Sequence, residues 1–341
     1  MKCTKPIRLA SIIPAFFAVA CALSAATAAD YSPEDDPALE EIIPDGVTPD
    51  TGQRAVVLEA VPQVYLCRVE YNPGGKVRAI YLSNHKVKSN RKQVLAAYGE
   101  ERAGIDAATL ARFAAFGDLE EIILLHQNPA AEGFAALDDW PDLISFRIEN
   151  IDHADFMPEI NALQKLRWLE LKHLFGLDET RVDELGTFPF LERLELDNAS
   201  AQEEALVFLA RNPTVRDFEL HRSGLGNEEI GRIVDSLPNL ERLALKPGGR
   251  DPFDAGTLAH VKRLRNLKIF GFHQWKPEMY VWEGGVEHLA EIPSLRFIEI
   301  AARHDPAVIG KLLEARPDIQ IASGKNDLIL ADGWSIEGKR P

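Results

Sequence analysis

Apolar residues along most of the chain fall into one recurring figure, apolar-x-x-apolar-x-apolar. It is met at Leu119-Ile122-Leu124, Leu143-Phe146-Ile148, Leu166-Leu169-Leu171, Leu191-Leu194-Leu196, Val215-Phe218-Leu220, Leu240-Leu243-Leu245, Leu267-Phe270-Phe272 and Leu295-Ile298-Ile300. Successive first positions lie 24, 23, 25, 24, 25, 27 and 28 residues apart. Alternation within each figure predicts a short strand whose core residues share one face. Val77-Ile80-Leu82 begins the array and Ile319-Gln320-Ile321 ends it. The step of 42 from Val77 to Leu119 fits one longer unit or an insertion.

The stretches between strands change period. After Gly224-Leu225-Gly226, Asn227 offers a helix cap, Glu228 and Glu229 suit a first turn, and Ile230, Ile233, Val234 and Leu237 form one apolar stripe. Pro238-Asn239 closes that helix before the next strand. Leu258, Val261 and Leu264, and later Val286, Leu289 and Ile292, repeat the layout. A strand, a turn and a helix therefore make one unit. No such unit can bury its own apolar face, so neighbours must stack, with parallel strands on one side and helices on the other.

The L-x-x-L-x-L core at this period resembles the leucine-rich-repeat superfamily, in particular helix-containing repeats similar to those of ribonuclease inhibitor, over residues 62–322. The resemblance implies an α/β leucine-rich-repeat solenoid, or horseshoe, with a parallel concave sheet and helices on the convex side. It also implies a binding scaffold for a protein, peptide or glycan. One family feature is missing. The Asn or Cys three places after the third core residue, which ties neighbouring turns together, is replaced by Gln127, Ile151, Leu174, Ala199, Ser223, Gly248, Trp275 and Arg303. Irregular turns with other partners are the expectation.

Both ends depart from the repeat. Residues 1–29 read as a signal peptide: Lys2, Lys5 and Arg8, an apolar run from Leu9 to Leu23 broken by Pro14, then Ala26-Thr27-Ala28. Phe17-Ala18-Val19-Ala20-Cys21 also resembles a bacterial lipobox, which would make Cys21 a lipidation site and the protein an outer-envelope lipoprotein instead of a periplasmic or secreted one. No later stretch is apolar and long enough to span a bilayer, so membrane contact would come only through such an anchor. Residues 30–61, acidic and spaced by Pro33, Pro37, Pro44 and Pro49, read as an extended linker. Within 62–322, Asn72-Pro73-Gly74-Gly75 marks a hairpin that caps the first repeat, and 323–341 reads as a C-terminal tail.

Charge and chemistry narrow the function. Loss of a leader with three basic and no acidic residues takes the formal charge from −15 to −18, which disfavours nucleic acid as a partner. Only Cys67 lies outside the leader, so no internal disulfide or metal-thiolate cluster is expected. The sequence holds no metalloprotease, thiol-redox, nucleophile-elbow or phosphate-loop motif, and the reading is of a non-enzyme without cofactor or metal. His221 and His273 sit two repeats apart, roughly 10 Å at ~4.8 Å per strand, which suits solvated surface histidines better than a shared metal site.

Two binding surfaces stand out. Between the second and third core positions lie Ile123, Arg147, Glu170, Glu195, Glu219, Ala244, Gly271 and Glu299. Three successive glutamates there suit a basic segment of a protein or peptide partner, with Trp168 as anchor, while Arg147, Lys172, Arg193, Arg242 and Lys246 stand ready to offset them. The second surface is the 272–285 loop, with His273, Trp275, Tyr280 and Trp282. The alternative function is that of a structural or spacer protein of the cell envelope.

Overall fold

The computed structural model describes residues 38–61, 64, 66–84, 105–127, 131–140, 142–151, 154–172, 174, 179–197, 203–221, 226–246, 255–273, 285–301, 306–323, 327–329 and 335–336. Among them fourteen strands form one sheet in chain order. They are β1 (Ala38–Ile42), β2 (Leu66–Tyr71), β3 (Val77–Ser83), β4 (Glu121–Leu125), β5 (Ser145–Glu149), β6 (Trp168–Lys172) and β7 (Arg193–Asp197). There follow β8 (Asp217–His221), β9 (Arg242–Lys246), β10 (Ile269–His273), β11 (Phe297–Ala301), β12 (Gln320–Ser323), β13 (Asp327–Ile329) and β14 (Ser335–Ile336). From β3 to β12 every neighbour pairs in parallel, one strand per repeat.

The register aligns equivalent residues across the repeats. Leu169 faces Leu194, Leu194 faces Phe218, and Phe218 faces Leu243. All three apolar positions of each of the eight repeats are at most 3% exposed. The helix at Asn227–Ser236 buries the stripe Ile230, Ile233 and Val234 against that layer, and Leu237 follows it inward. Core lies between the helices and one face of the sheet, and among the described residues no helix packs on the opposite, open face. The repeat array is thus a leucine-rich-repeat solenoid. At the start of that helix Gly226, and not Asn227, holds the cap position, with its N–H on Glu229 Oε2 at 2.9 Å. Asn227 is bonded instead by the Thr257 hydroxyl of the next helix.

The turns find partners away from the family's asparagine position. At that position Gln127 is buried and its Oε1 accepts the Ile105 N–H at 2.9 Å, whereas Ile151 and Leu174 are simply buried apolar groups. The ladder moves to the other end of the unit. Asn161 Oδ1 accepts from Gly186 N at 2.6 Å, and Asn212 Oδ1 from Phe188 N at 2.7 Å, each one repeat apart. Near the C-terminal end Arg316 donates to the carbonyls of Ala290, Ile292 and Leu295. On the opposite rim His126 and Asn150 take left-handed φ of 54° and 58°, letting their N–H groups reach Glu149 O and Lys172 O.

The reading of 30–61 as an extended linker is corrected over residues 38–61. These residues form β1, parallel to β2, and a helix at Thr51–Ala60 whose Val57 and Ala60 are buried. Asp50 caps that helix through Gly52 N and Gln53 N, and Lys76 holds its other oxygen at 2.6 Å. Two of the acidic residues that suggested a tether are paired: Glu41 accepts two bonds from Arg54 and one from the Tyr71 hydroxyl, and Glu40 meets Arg68. The hairpin β2–β3 turns at Gly75, φ +78°, where a Cβ would lie 2.2 Å from Thr48 O. Within 323–341, β13 and β14 continue the sheet antiparallel from β12.

Candidate functional site: the open face of the sheet

Strand alternation sends Trp168, Glu170 and Lys172 to the open face while Leu169 and Leu171 go inward. Register then builds rows across the strands. One row runs Glu121, Ser145, Trp168, Arg193, Asp217 and Arg242, and the next runs Ile123, Arg147, Glu170, Glu195, Glu219 and Ala244. His221 stands in the third row, with Asp197 and Lys246 as its register partners on β7 and β9.

The glutamates of this face are not a free acidic patch. Glu170, Glu195 and Glu219 are only 1%, 3% and 5% exposed. Arg147 Nε donates to Glu170 Oε2 at 2.7 Å, and Lys172 Nζ bridges Glu170 Oε1 at 3.0 Å and Glu195 Oε1 at 2.6 Å. Arg242 spans Asp217 Oδ1 at 2.8 Å and Glu219 Oε2 at 2.7 Å. His221 Nε2 lies 2.6 Å from Glu219 Oε1 and 2.9 Å from Glu195 Oε1, so His221 is a half-buried link in the network and not a solvated surface residue. Like charges on adjacent strands repel, and the sheet answers by interleaving cations between them.

Protonation follows the same balance. Burial works against the Glu170 carboxylate, but the Arg147 and Lys172 charges outweigh it and hold the group below its ordinary value. Burial likewise opposes charge on Lys172 and Arg242, and their carboxylate partners overcome it and raise both. These groups stay ionised at neutral pH.

Trp168 is clamped rather than presented. The Arg147 and Arg193 guanidinium carbons each sit 4.1 Å from the centre of its ring, one stack of cation, indole and cation across three strands. Its Nε1 and the Nε of Arg193 and Arg242 are buried without a hydrogen-bond partner. Arg193 makes only long ion pairs, 3.6 Å to Asp217 and 3.9 Å to Glu195. Beyond Arg242 the two rows carry Ala244, Gly271 and half-buried Ile269 and Phe297, with Glu299 beside Gly271 on β11.

Glu195, Glu219 and His221 bring three donor atoms within 4.8 Å of one another, a spacing that would suit a metal ion. Lys172 and Arg242 already bond both carboxylates, so the chain's own cations take the place of one. The other sequence candidates are not assembled here. The backbone of His273 closes β10, while Trp275, Tyr280, Trp282 and Cys21 lie outside the described residues. The sequence reading missed His221 as a bridge and Asp217 as the second partner of Arg242. Both could have been found by pairing residues diagonally across strands as well as directly.

No protein-family profile matches the sequence, and no curated protein matches it. Among solved structures, an internalin from Listeria monocytogenes str. 4b F2365 is similar with a TM-score of 0.35 and 13% identity, over 71% of this chain and 79% of that one. A chain of the TLR13–ssRNA13 complex gives a TM-score of 0.40 and 16% identity over 85% of this chain and 40% of that one. A leucine-rich-repeat protein of Leptospira interrogans gives 0.21 and 12%, over 62% and 80%. The fold assignment rests on the chain's own repeat and sheet.

Proposed function

We propose that this chain is a non-catalytic binding scaffold that recognises a protein or peptide through the open face of β5–β9. The observation that carries the reading is the layer of ionised side chains fixed there around Trp168. Burying charges costs several kcal/mol per ion even when they are paired, and small polar side chains would serve a purely structural sheet at less cost. Charges held in place before a partner arrives lower the cost of binding it. The same locking argues against catalysis, since a general acid needs a raised carboxyl and Glu170 is held low. The 272–285 segment is a second candidate contact.

The leader motivates the rest of the proposal: export to the periplasm or beyond, by soluble secretion or through lipidation at Cys21. The internal pairing of Glu170, Glu195 and Glu219 favours a second reading, a structural spacer of the envelope. One capture experiment separates the two. Mature protein, residues 30–341, serves as bait in an envelope extract as wild type, as Trp168→Ala/Arg193→Ala, and as Lys165→Glu, a control at an exposed turn. A defined partner lost only with the open-face variant supports recognition. Equal capture by all three, with melting unchanged, leaves the spacer reading.

A further inference from the structure

Resting on the open-face reading, we propose that Arg193 is the anion-binding contact of that face, and that a peptide or protein partner meets it with the side-chain carboxylate of a glutamate or aspartate. Three arginines share this part of the sheet, and two are committed. Arg147 donates to Glu170 at 2.7 Å, and Arg242 donates to Asp217 and Glu219 at 2.8 and 2.7 Å. Arg193, on the central strand β7, lies 3.6 Å from Asp217 and 3.9 Å from Glu195, both beyond hydrogen-bond reach. Each of these carboxylates is answered by a closer cation, Asp217 by Arg242 at 2.8 Å and Glu195 by Lys172 at 2.6 Å.

Trp168 holds the Arg193 guanidinium in place, with Cζ 4.1 Å from the ring centre. Nε is buried, but the side chain is 30% exposed and its two Nη groups, which are not buried, can be reached from solvent. A guanidinium is a planar fork that matches a carboxylate with two parallel N–H···O bonds. Stacking fixes that plane before a partner arrives, so less side-chain freedom is lost on binding.

The neighbouring contacts decide the sign of the partner. Arg147 and Lys172 hold Glu170, Lys172 also holds Glu195, and Arg242 holds Glu219. An incoming ammonium would have to displace one of these cations. An incoming carboxylate displaces nothing and adds hydrogen bonds that Arg193 does not make among the described residues. The chain as a whole is acidic, with a formal charge of −15, yet at physiological salt exposed charges more than about 8 Å apart are largely screened. A single carboxylate flanked by uncharged residues therefore suits this place better than an acidic run.

One-residue probes test this on residues 30–341 by NMR, read at the Trp168 indole N–H and the Arg193 Nε–H at constant ionic strength. The probes are the N-acetyl N-methylamides of glutamate, glutamine and lysine, and inorganic phosphate. The glutamate probe should shift both signals saturably, and the glutamine and lysine probes should not. Arg193→Lys, which keeps the charge but loses the fork, should weaken glutamate binding several-fold, and Arg193→Gln should abolish the shift at Trp168. Equal shifts from glutamate and glutamine overturn the proposal, as does tighter binding of lysine or of phosphate, or wild-type binding of glutamate by Arg193→Gln. A partner captured through the open face while wild type binds no glutamate probe rejects the carboxylate contact and leaves the open-face reading standing. Glutamate binding at Arg193 with equal capture by all three baits counts against the open-face reading instead.

Discussion

The buried side chain of Asn212 reaches back one full repeat to Phe188, accepting its N–H at 2.7 Å. The same amide donates to Gly186 O at 3.3 Å and to Phe208 O at 2.8 Å, so one residue satisfies backbone groups of two consecutive units. A solenoid whose units touch only their neighbours depends on such ties, because no long-range contact compensates for a weak joint.

Asn212→Ala should therefore cost more than a surface truncation. It leaves the Phe188 N–H buried without an acceptor, a penalty of about 1–3 kcal/mol. Urea unfolding of the variant and of Arg216→Ala, whose nearest carboxylate contact is 3.8 Å in an exposed pair, provides the comparison. Equal midpoints for the two would reject a structural role for the amide.

The core assignment predicts a steeper loss. Leu194 is completely buried, so Leu194→Ala should destabilise by about 2–5 kcal/mol through lost transfer energy and a residual cavity. Leu194→Asp should prevent folding at ordinary temperature, since an unpaired carboxylate would sit between sheet and helices. Circular dichroism melting checks both, and a wild-type-like melt for the aspartate variant would contradict the placement.

Much of this was legible in the sequence because the repeat reports its own geometry. Leu169 and Leu194 occupy equivalent places in successive units, and equivalence across a parallel sheet means adjacency. Period-two alternation then placed Glu170, Glu195 and Glu219 side by side on the other face. Their burial was not legible: it depends on how Arg147, Lys172 and Arg242 fold across strand boundaries, which is side-chain geometry and not period. The helix at Thr51–Ala60 was missed for another reason. Prolines and acidic residues outweighed Asp50 and Gln53, a helix-start signal at the right spacing, and the partners that neutralise Glu40 and Glu41 lie 28 and 13 residues away.

The cation–indole–cation stack separates two arginines that look alike in sequence. Arg147 bonds an almost fully buried Glu170, so Arg147→Ala should cost on the order of 3 kcal/mol by leaving that carboxylate with Lys172 alone. Arg193 is partly exposed and holds its carboxylates at long range, so Arg193→Ala should lose about 1 kcal/mol or less, chiefly its contact with Trp168. Chemical denaturation of the two variants would show the difference. Similar losses for both would mean that stacking on Trp168 and not ion pairing governs this part of the sheet.

Acid should destabilise the protein in a defined window. The Arg316 guanidinium bonded to Asp318 holds that carboxyl down to about 2, and Glu170 is also held below its ordinary value once the Arg147 and Lys172 charges have overcome burial. A carboxyl depressed in the folded state contributes stability that is present above its unfolded value, near 3.9 for Asp and 4.3 for Glu, and is lost as pH falls through the folded value. These two groups therefore contribute fully at neutral pH, and their contribution should decline progressively below about pH 4.5. Asp318→Asn should soften that decline without removing it, since the Arg316 bonds to Ala290, Ile292 and Leu295 remain and Glu170 still titrates. Melting temperatures of wild type and Asp318→Asn between pH 7 and pH 3 measure the effect. Parallel curves would show that the Arg316–Asp318 bond carries no linkage, leaving Arg316 as a cap of backbone carbonyls alone.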